Sequence, residues 1–142
     1  MITTFESGNA WTVFNGQTSA RDFEPEMPNR IGDPNLARGS RTSNRYFDQS
    51  AFSDPGFDVK GNSGPGTVRG PGQNNFNFNL AKTFSVTEKW NVEFRAEMYN
   101  LFNHTQFKEI DTTFSTFTGS TFGWVTGAHD GRFLQFGLRV TF

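Results

Sequence analysis

Two histidines, His104 and His129, are the only imidazoles in the chain, and Glu109, Asp111 and Asp130 lie near them in sequence. Together they supply ligand types for a metal ion, but their spacing matches no established site, and solvent-exposed loop histidines are the simpler reading. Asp54 and Asp58 flank Pro55-Gly56, a pattern that suits weak calcium binding but suits a solvated turn better. Gly61, Gly64, Gly66, Gly70 and Gly72 form a Gly/Pro-rich loop without the strand-and-helix frame that a nucleotide fingerprint requires. Asn103-His104-Thr105 fits the N-glycosylation pattern, which short tripeptides often match by chance. Glu93, Arg95 and Glu97 alternate along one segment and Arg139 lies in another. Such charges are expected to pair across strands, with substrate contact as the competing role. Zero Cys removes thiolate metal sites, disulfides and cysteine nucleophiles. No hydrolase, metalloprotease or phosphate-loop motif occurs, so the chain is expected to be no enzyme and to need no cofactor.

The elements that carry these residues are set by a period of two. In 75–84 the even positions are Phe76, Phe78, Leu80, Lys82 and Phe84. In 90–99 they are Trp90, Val92, Phe94, Ala96 and Met98, and in 133–142 Leu134, Phe136, Leu138, Val140 and Phe142. Fourteen of these 15 are apolar, against 3 of 15 at the odd positions. Only β-strands with one apolar and one polar face give that split. The five-residue link 85–89 predicts an antiparallel hairpin. Phe122 and Trp124 keep the phase of the last strand, which predicts that it starts early, with Asp130-Gly131 as a bulge.

Residues 1–16 alternate weakly, with Phe5, Trp11 and Val13 on one side, and read as a further strand ending in the turn signal Asn15-Gly16. Residues 17–73 hold all six Pro (Pro25, Pro28, Pro34, Pro55, Pro65 and Pro71) and read as one long loop. Residues 74–142 hold the last three strands and their connections.

The chain is 142 residues with a net charge of −1, 34% hydrophobic residues and 18 Phe. That balance argues against both a disordered chain and a nucleic-acid partner. No apolar run exceeds two residues, which excludes a membrane-spanning helix and disfavours a buried parallel sheet. Met1-Ile-Thr-Thr-Phe-Glu has neither the basic start nor the apolar stretch of a signal peptide.

Alternation alone leaves two architectures open: a soluble β-sandwich, or a barrel whose apolar face meets lipid. Three features favour the barrel. The strands run to the ~9–11 residues that cross a bilayer at a tilt. The connections are short at one end and long and polar at the other. Phe84, Trp90 and Phe142 gather at the short-turn end as an interfacial girdle. Lys82, the one charge on the apolar face, lies close enough to the strand end to snorkel. The aromatic loop residues Phe107, Phe114, Phe117, Phe122 and Trp124 suit binding of a sugar or siderophore and mutual packing equally.

The run NFNFNLAKTFSVTEKWNVEFRAEMYNLFNHTQF, followed by TFGWVTGAHDGRFLQFGLRVTF, resembles the C-terminal region of TonB-dependent outer-membrane receptors. The nearest likeness is to the Oar-like group that carries a carboxypeptidase-regulatory-like domain. PNRIGDPNL, NRYFDQSAF and GNSGPGTVRGPGQNNFN resemble the long loop before those strands.

The resemblance implies a transporter barrel of about 22 strands around a plug, in the bacterial outer membrane. It makes residues 17–73 an extracellular loop and turns 41–69 and 105–131 outward. Phe76, Phe78, Leu80, Phe84, Trp90, Val92, Phe94, Met98, Leu134, Phe136, Leu138 and Val140 would face lipid. Glu93, Arg95, Glu97 and Arg139 would face the lumen, and Phe142 would serve as the barrel-assembly signal. Its implied partners are the rest of the barrel and plug, outer-membrane lipid and the assembly machinery, with TonB reached only through parts missing from this chain. Four strands are too few to close a barrel, whose smallest form has about eight. The expectation is therefore an all-β, antiparallel, incomplete barrel: a C-terminal segment beginning at an internal or artificial Met1, with no activity alone. The competing expectation is a secreted β-sheet module that binds a partner or assembles with itself.

Overall fold

The computed structural model describes residues 1–16 and 26–142. These fall into two compact units, one made of 1–6, 73–106 and 129–142, the other of 7–72 and 107–128. The described residues are all-β apart from two short 3-10 turns, Arg38–Ser40 and Gln49–Ala51.

The first unit is a four-stranded antiparallel sheet of β1 (Ile2–Glu6), β2 (Gln73–Ser85), β3 (Asn91–Tyr99) and β4 (Phe133–Thr141), paired in that order. β2 runs for 13 residues and β3 and β4 for nine each, well beyond the ~5–6 of an average globular strand. The hairpin joining β2 to β3 is short, as its length requires: Val86 N–H donates to the Trp90 carbonyl at 2.9 Å and Trp90 N–H to Thr87 Oγ1 at 3.2 Å.

The register keeps like parity beside like. Phe78, Met98 and Leu134 form one cross-strand row, Leu80, Ala96 and Phe136 the next, then Lys82, Phe94 and Leu138, then Phe84, Val92 and Val140. A slip of one residue would turn a whole strand's apolar set over. Ala96 is the only apolar residue buried in this unit; Leu80, Phe84, Leu134, Phe136, Leu138 and Val140 are exposed.

The second unit has its own core. Val13, Tyr46, Phe47, Ala51, Phe52, Val68, Ile110, Phe114 and Phe122 pack together, with Phe107 and Val125 against them. Four of its rings meet edge to face, Phe122 touching Phe47, Phe52 and Phe114 at centroid distances of 5.1, 5.7 and 5.4 Å. Three two-residue ladders and one longer one hold this lobe: 10–11 with 68–69, 14–15 with 113–114, 29–30 with 52–53, and Phe107–Ile110 with Val125–Ala128.

Three features differ from the sequence expectations. The first strand stops at Glu6, not near residue 16. Gly8 lies so close to the Gly70 carbonyl that any Cβ there would collide, and the chain from Ala10 onward pairs inside the second unit. The long 17–73 segment is, over its described part, largely a packed lobe. The last strand begins at Phe133. Phe122 is drawn into the second core and Val125–Ala128 forms a separate strand, so the irregular pairing falls there rather than at Asp130-Gly131. The turn signal at Asn15-Gly16 leads into residues that lie outside the described ones, as does Pro25.

Candidate functional site

The sheet's apolar face is bounded by aromatic rings at both ends. At the hairpin end Trp90 stacks on Phe142 at 5.3 Å, and the Lys82 ammonium lies 6.0 Å from the centre of the Phe84 ring. Since Phe84 is the next residue on that face toward the hairpin, the lysine reaches along the sheet to its rim, as snorkelling requires. At the opposite end Phe5, Phe76 and Phe102 meet edge to face, at 5.5 Å and 5.0 Å about Phe76. That second cluster was not read from the sequence. Phe102 lies past the end of β3, and Phe5 reaches Phe76 only through the pairing of β1 with β2.

Phe76 and Phe84 stand eight positions apart in β2, roughly 27 Å along a strand. A tilt of about 35–45° shortens this to roughly 19–22 Å of membrane depth, near the ~25 Å apolar band of an outer-membrane barrel. Between the clusters, Lys82 is the sole charge on this face.

The opposite face carries Asn75, Asn77, Asn79, Glu93, Arg95, Glu97, Gln135 and Arg139. Its ion pairs run along β3 rather than across strands: Arg95 meets Glu93 at 3.1 Å and Glu97 at 4.0 Å. Arg139 is in register with Glu93, yet Glu93 forms its ion pair with Arg95 on its own strand. Cross-strand contact comes instead from Asn79, whose amide donates to Glu97 Oε1 at 3.4 Å.

Where β2, β3 and β4 reach the long connections, two buried amides organise the backbone. Asn100, at φ 49°, accepts from His104 N–H through Oδ1 at 3.0 Å and donates to the His104 carbonyl at 3.1 Å. Gln106 pairs with both backbone groups of Asn74, at 3.0 and 2.9 Å. Asn103, also at positive φ, accepts from Arg132 N–H at 3.1 Å. These groups frame a cleft of about 370 Å³ lined by Gln73, Asn75, Asn77, Tyr99, Asn100, Gln106, His129, Asp130, Gly131 and Phe133. Sequence reasoning passed over Asn100 and Gln106. The available signal was a pair of asparagines closely following a strand, suited to left-handed backbone.

The histidines take different places. His104 belongs to the Asn100 turn, and His129 lines the cleft. Among the described residues no three His, Asp or Glu side chains gather as a metal site. Asp54 accepts from Gly56 N–H at 2.9 Å, closing a turn. Gly61 packs against the Met27 and Pro28 backbone, where a side chain would collide. Phe107, Phe114 and Phe122 serve the second core, whereas Phe117 and Trp124 are exposed. Two carboxyls in that unit sit below their ordinary range. Asp33 is held down chiefly by the Asn35 backbone N–H, and Asp48 by the Ser50 hydroxyl and then by Arg45.

The outer membrane beta barrel domain family matches residues 1–135. The chain belongs to that family. No curated protein and no solved structure matches it. Membership locates the barrel domain in the bacterial outer membrane and makes its strands part of a barrel wall. Among the described residues the sheet is open: β1 and β4 each pair with one neighbour, and its four strands fall short of the roughly eight in the smallest barrels.

Proposed function

We propose that this barrel domain forms part of the wall of a TonB-dependent transporter of the Oar-like group. Its apolar face would meet lipid and its polar face a plug-filled lumen. The observation that carries this reading is the two-faced register. Four cross-strand rows keep one face apolar except for Lys82, and rings close that face at both ends. Such a face needs a lipid partner, because in water it would leave a broad apolar patch uncovered.

In this reading Phe76, Phe78, Leu80, Phe84, Trp90, Val92, Phe94, Met98, Leu134, Phe136, Leu138 and Val140 contact lipid. Glu93, Arg95, Glu97 and Arg139 face the plug, and Phe142 is read by the assembly machinery. Residues 41–69 and 105–131 face the extracellular side. The wall performs no catalysis. The likeness of 75–107 and 121–142 to receptor C-termini supports the finer assignment.

A photo-crosslinker at Arg139, introduced in native outer membranes, tests it. The expected product joins this chain to a plug-domain peptide identified by mass spectrometry. A folded barrel whose Arg139 position links only to other wall strands would overturn the transporter reading.

A further inference from the structure

The cleft at the long-connection end of the polar face is built from an unusual set of groups. Asn75 and Asn77 project from the polar side of β2, Tyr99 ends β3 and Phe133 starts β4 on the same side, and Gln73 starts β2. Asn100 and Gln106 spend their amides on backbone partners, Asn100 on His104 and Gln106 on Asn74, and serve as its frame. The groups left to receive a ligand differ. Asn75 Oδ1 is buried without a hydrogen-bond partner. Asn77 uses its Oδ1 on the Asn100 N–H at 3.1 Å, which leaves its NH₂ as a donor. The Tyr99 and Phe133 rings lie 6.1 Å apart and tilted by 36°, giving the cleft an apolar side.

The chemistry of this lining selects a ligand class. No Lys or Arg lines the cleft, and Asp130 is its only carboxylate, so an anion would find no guanidinium or ammonium to pair with. An apolar ligand would leave the Asn75 oxygen buried and unpaired, which is costly. Amides offer donors and acceptors side by side, and a hydroxyl is both at once. A ligand bearing several hydroxyls on a ring with an apolar face therefore satisfies the amides and covers the aromatic rings together. The volume of about 370 Å³ falls within the ~300–1,000 Å³ of small-molecule sites.

We infer that this cleft binds an uncharged polyhydroxylated ligand, a sugar unit held by Asn75 and Asn77 against Tyr99 and Phe133. The inference deepens the transporter reading by naming a ligand class for the lumen, and it rests on that reading only for the ligand's route to the site.

The test uses the full chain assembled in lauryldimethylamine oxide micelles, which carry no sugar, with maltose and cellobiose as neutral probes and citrate as an anionic one. Saturation-transfer NMR reports contact, and gel mobility with and without heating reports folding. Binding of at least one disaccharide is expected, weakened tenfold or more by Asn75→Leu and by Phe133→Ala. Asn77→Asp, which keeps the oxygen that accepts from Asn100 N–H and removes only the NH₂ donor, covers the case in which those variants fail to fold and should weaken binding severalfold. Citrate binding without disaccharide binding overturns the ligand class. Folded protein that binds neither probe, or binds disaccharide equally well in all three variants, overturns the site. Sugar binding by a chain that folds without detergent leaves the site standing and sinks the lipid-facing wall instead.

Discussion

Replacing Phe136 with arginine separates a lipid-facing strand from a water-facing one. Phe136 sits one residue from the middle of β4 and is 62% exposed. In water, a substitution at so exposed a position changes stability by no more than about 0.5 kcal/mol. In lipid, arginine at the bilayer midplane costs about 2–4 kcal/mol, a factor of roughly 30 to 900 in the folding equilibrium at about 1.4 kcal/mol per tenfold. Phe136 also stacks on Phe94 at 6.2 Å, a pair contributing about 0.5–1.5 kcal/mol. Phe136→Ala therefore serves as the reference, and the arginine-specific cost is the difference between the two variants.

Depth supplies a second constraint. Val140 lies four residues further along β4, roughly 13 Å along the strand and about 9–11 Å nearer the interface at a tilt of about 35–45°. Val140→Arg should cost little more than about 0–1 kcal/mol. The assay is urea-dependent folding of the assembled barrel into phosphatidylcholine vesicles, followed by gel mobility. Equal costs at the two positions, or no cost at Phe136 beyond that of alanine, would refute the membrane placement of this face.

Phe47, 1% exposed and ringed by Phe52 and Phe122, should lose about 3–5 kcal/mol when cut to alanine; hydrogen exchange should show the loss in residues 26–72 and 107–128 while the sheet amides stay protected. Gln106→Leu strips both backbone groups of Asn74 of their partner, and at about 0.5–1.5 kcal/mol for each hydrogen bond lost it should destabilise the start of β2, seen as faster exchange at Asn74. The Asp48 carboxyl titrates below its ordinary 3.8 because the Ser50 hydroxyl, then Arg45, favours its charged form. Its contribution to stability is thus present above the unfolded value and fades as the pH falls through the lower folded one. Ser50→Ala should move the Asp48 titration upward by carbon-detected NMR; an unmoved midpoint would contradict this cause.

The sheet was legible in the sequence because each of its strands separates two environments. Phe76, Phe94 and Phe136 recur with period two since one face of the sheet is apolar throughout, and that signal is local to each segment. The second unit offers no such signal. Its core joins Val13, Phe47, Val68 and Phe122 from distant parts of the chain, through ladders mostly two residues long, too short to impose a period. Phe122 shows the cost of reading parity alone. It is in phase with β4 by count, but it is buried among Phe47, Phe52 and Phe114. The cleft was hidden for a further reason: Asn100 and Gln106 act through backbone hydrogen bonds that close only when β2, β3 and the long connections meet. The aromatic boundary was half visible, with Phe84, Trp90 and Phe142 marked by their place at a short turn and Phe5 and Phe102 requiring the fold.

The most direct test of the central claim uses the absence of native cysteine, which makes any introduced thiol unique. Single cysteines from Leu134 to Val140 in the assembled barrel, each carrying a spin label, report their accessibility to lipid-dissolved oxygen and to a water-soluble nickel chelate. The account predicts strict alternation, with 134, 136, 138 and 140 reached from lipid and 135, 137 and 139 from water. Equal access to the nickel chelate at both parities would contradict it.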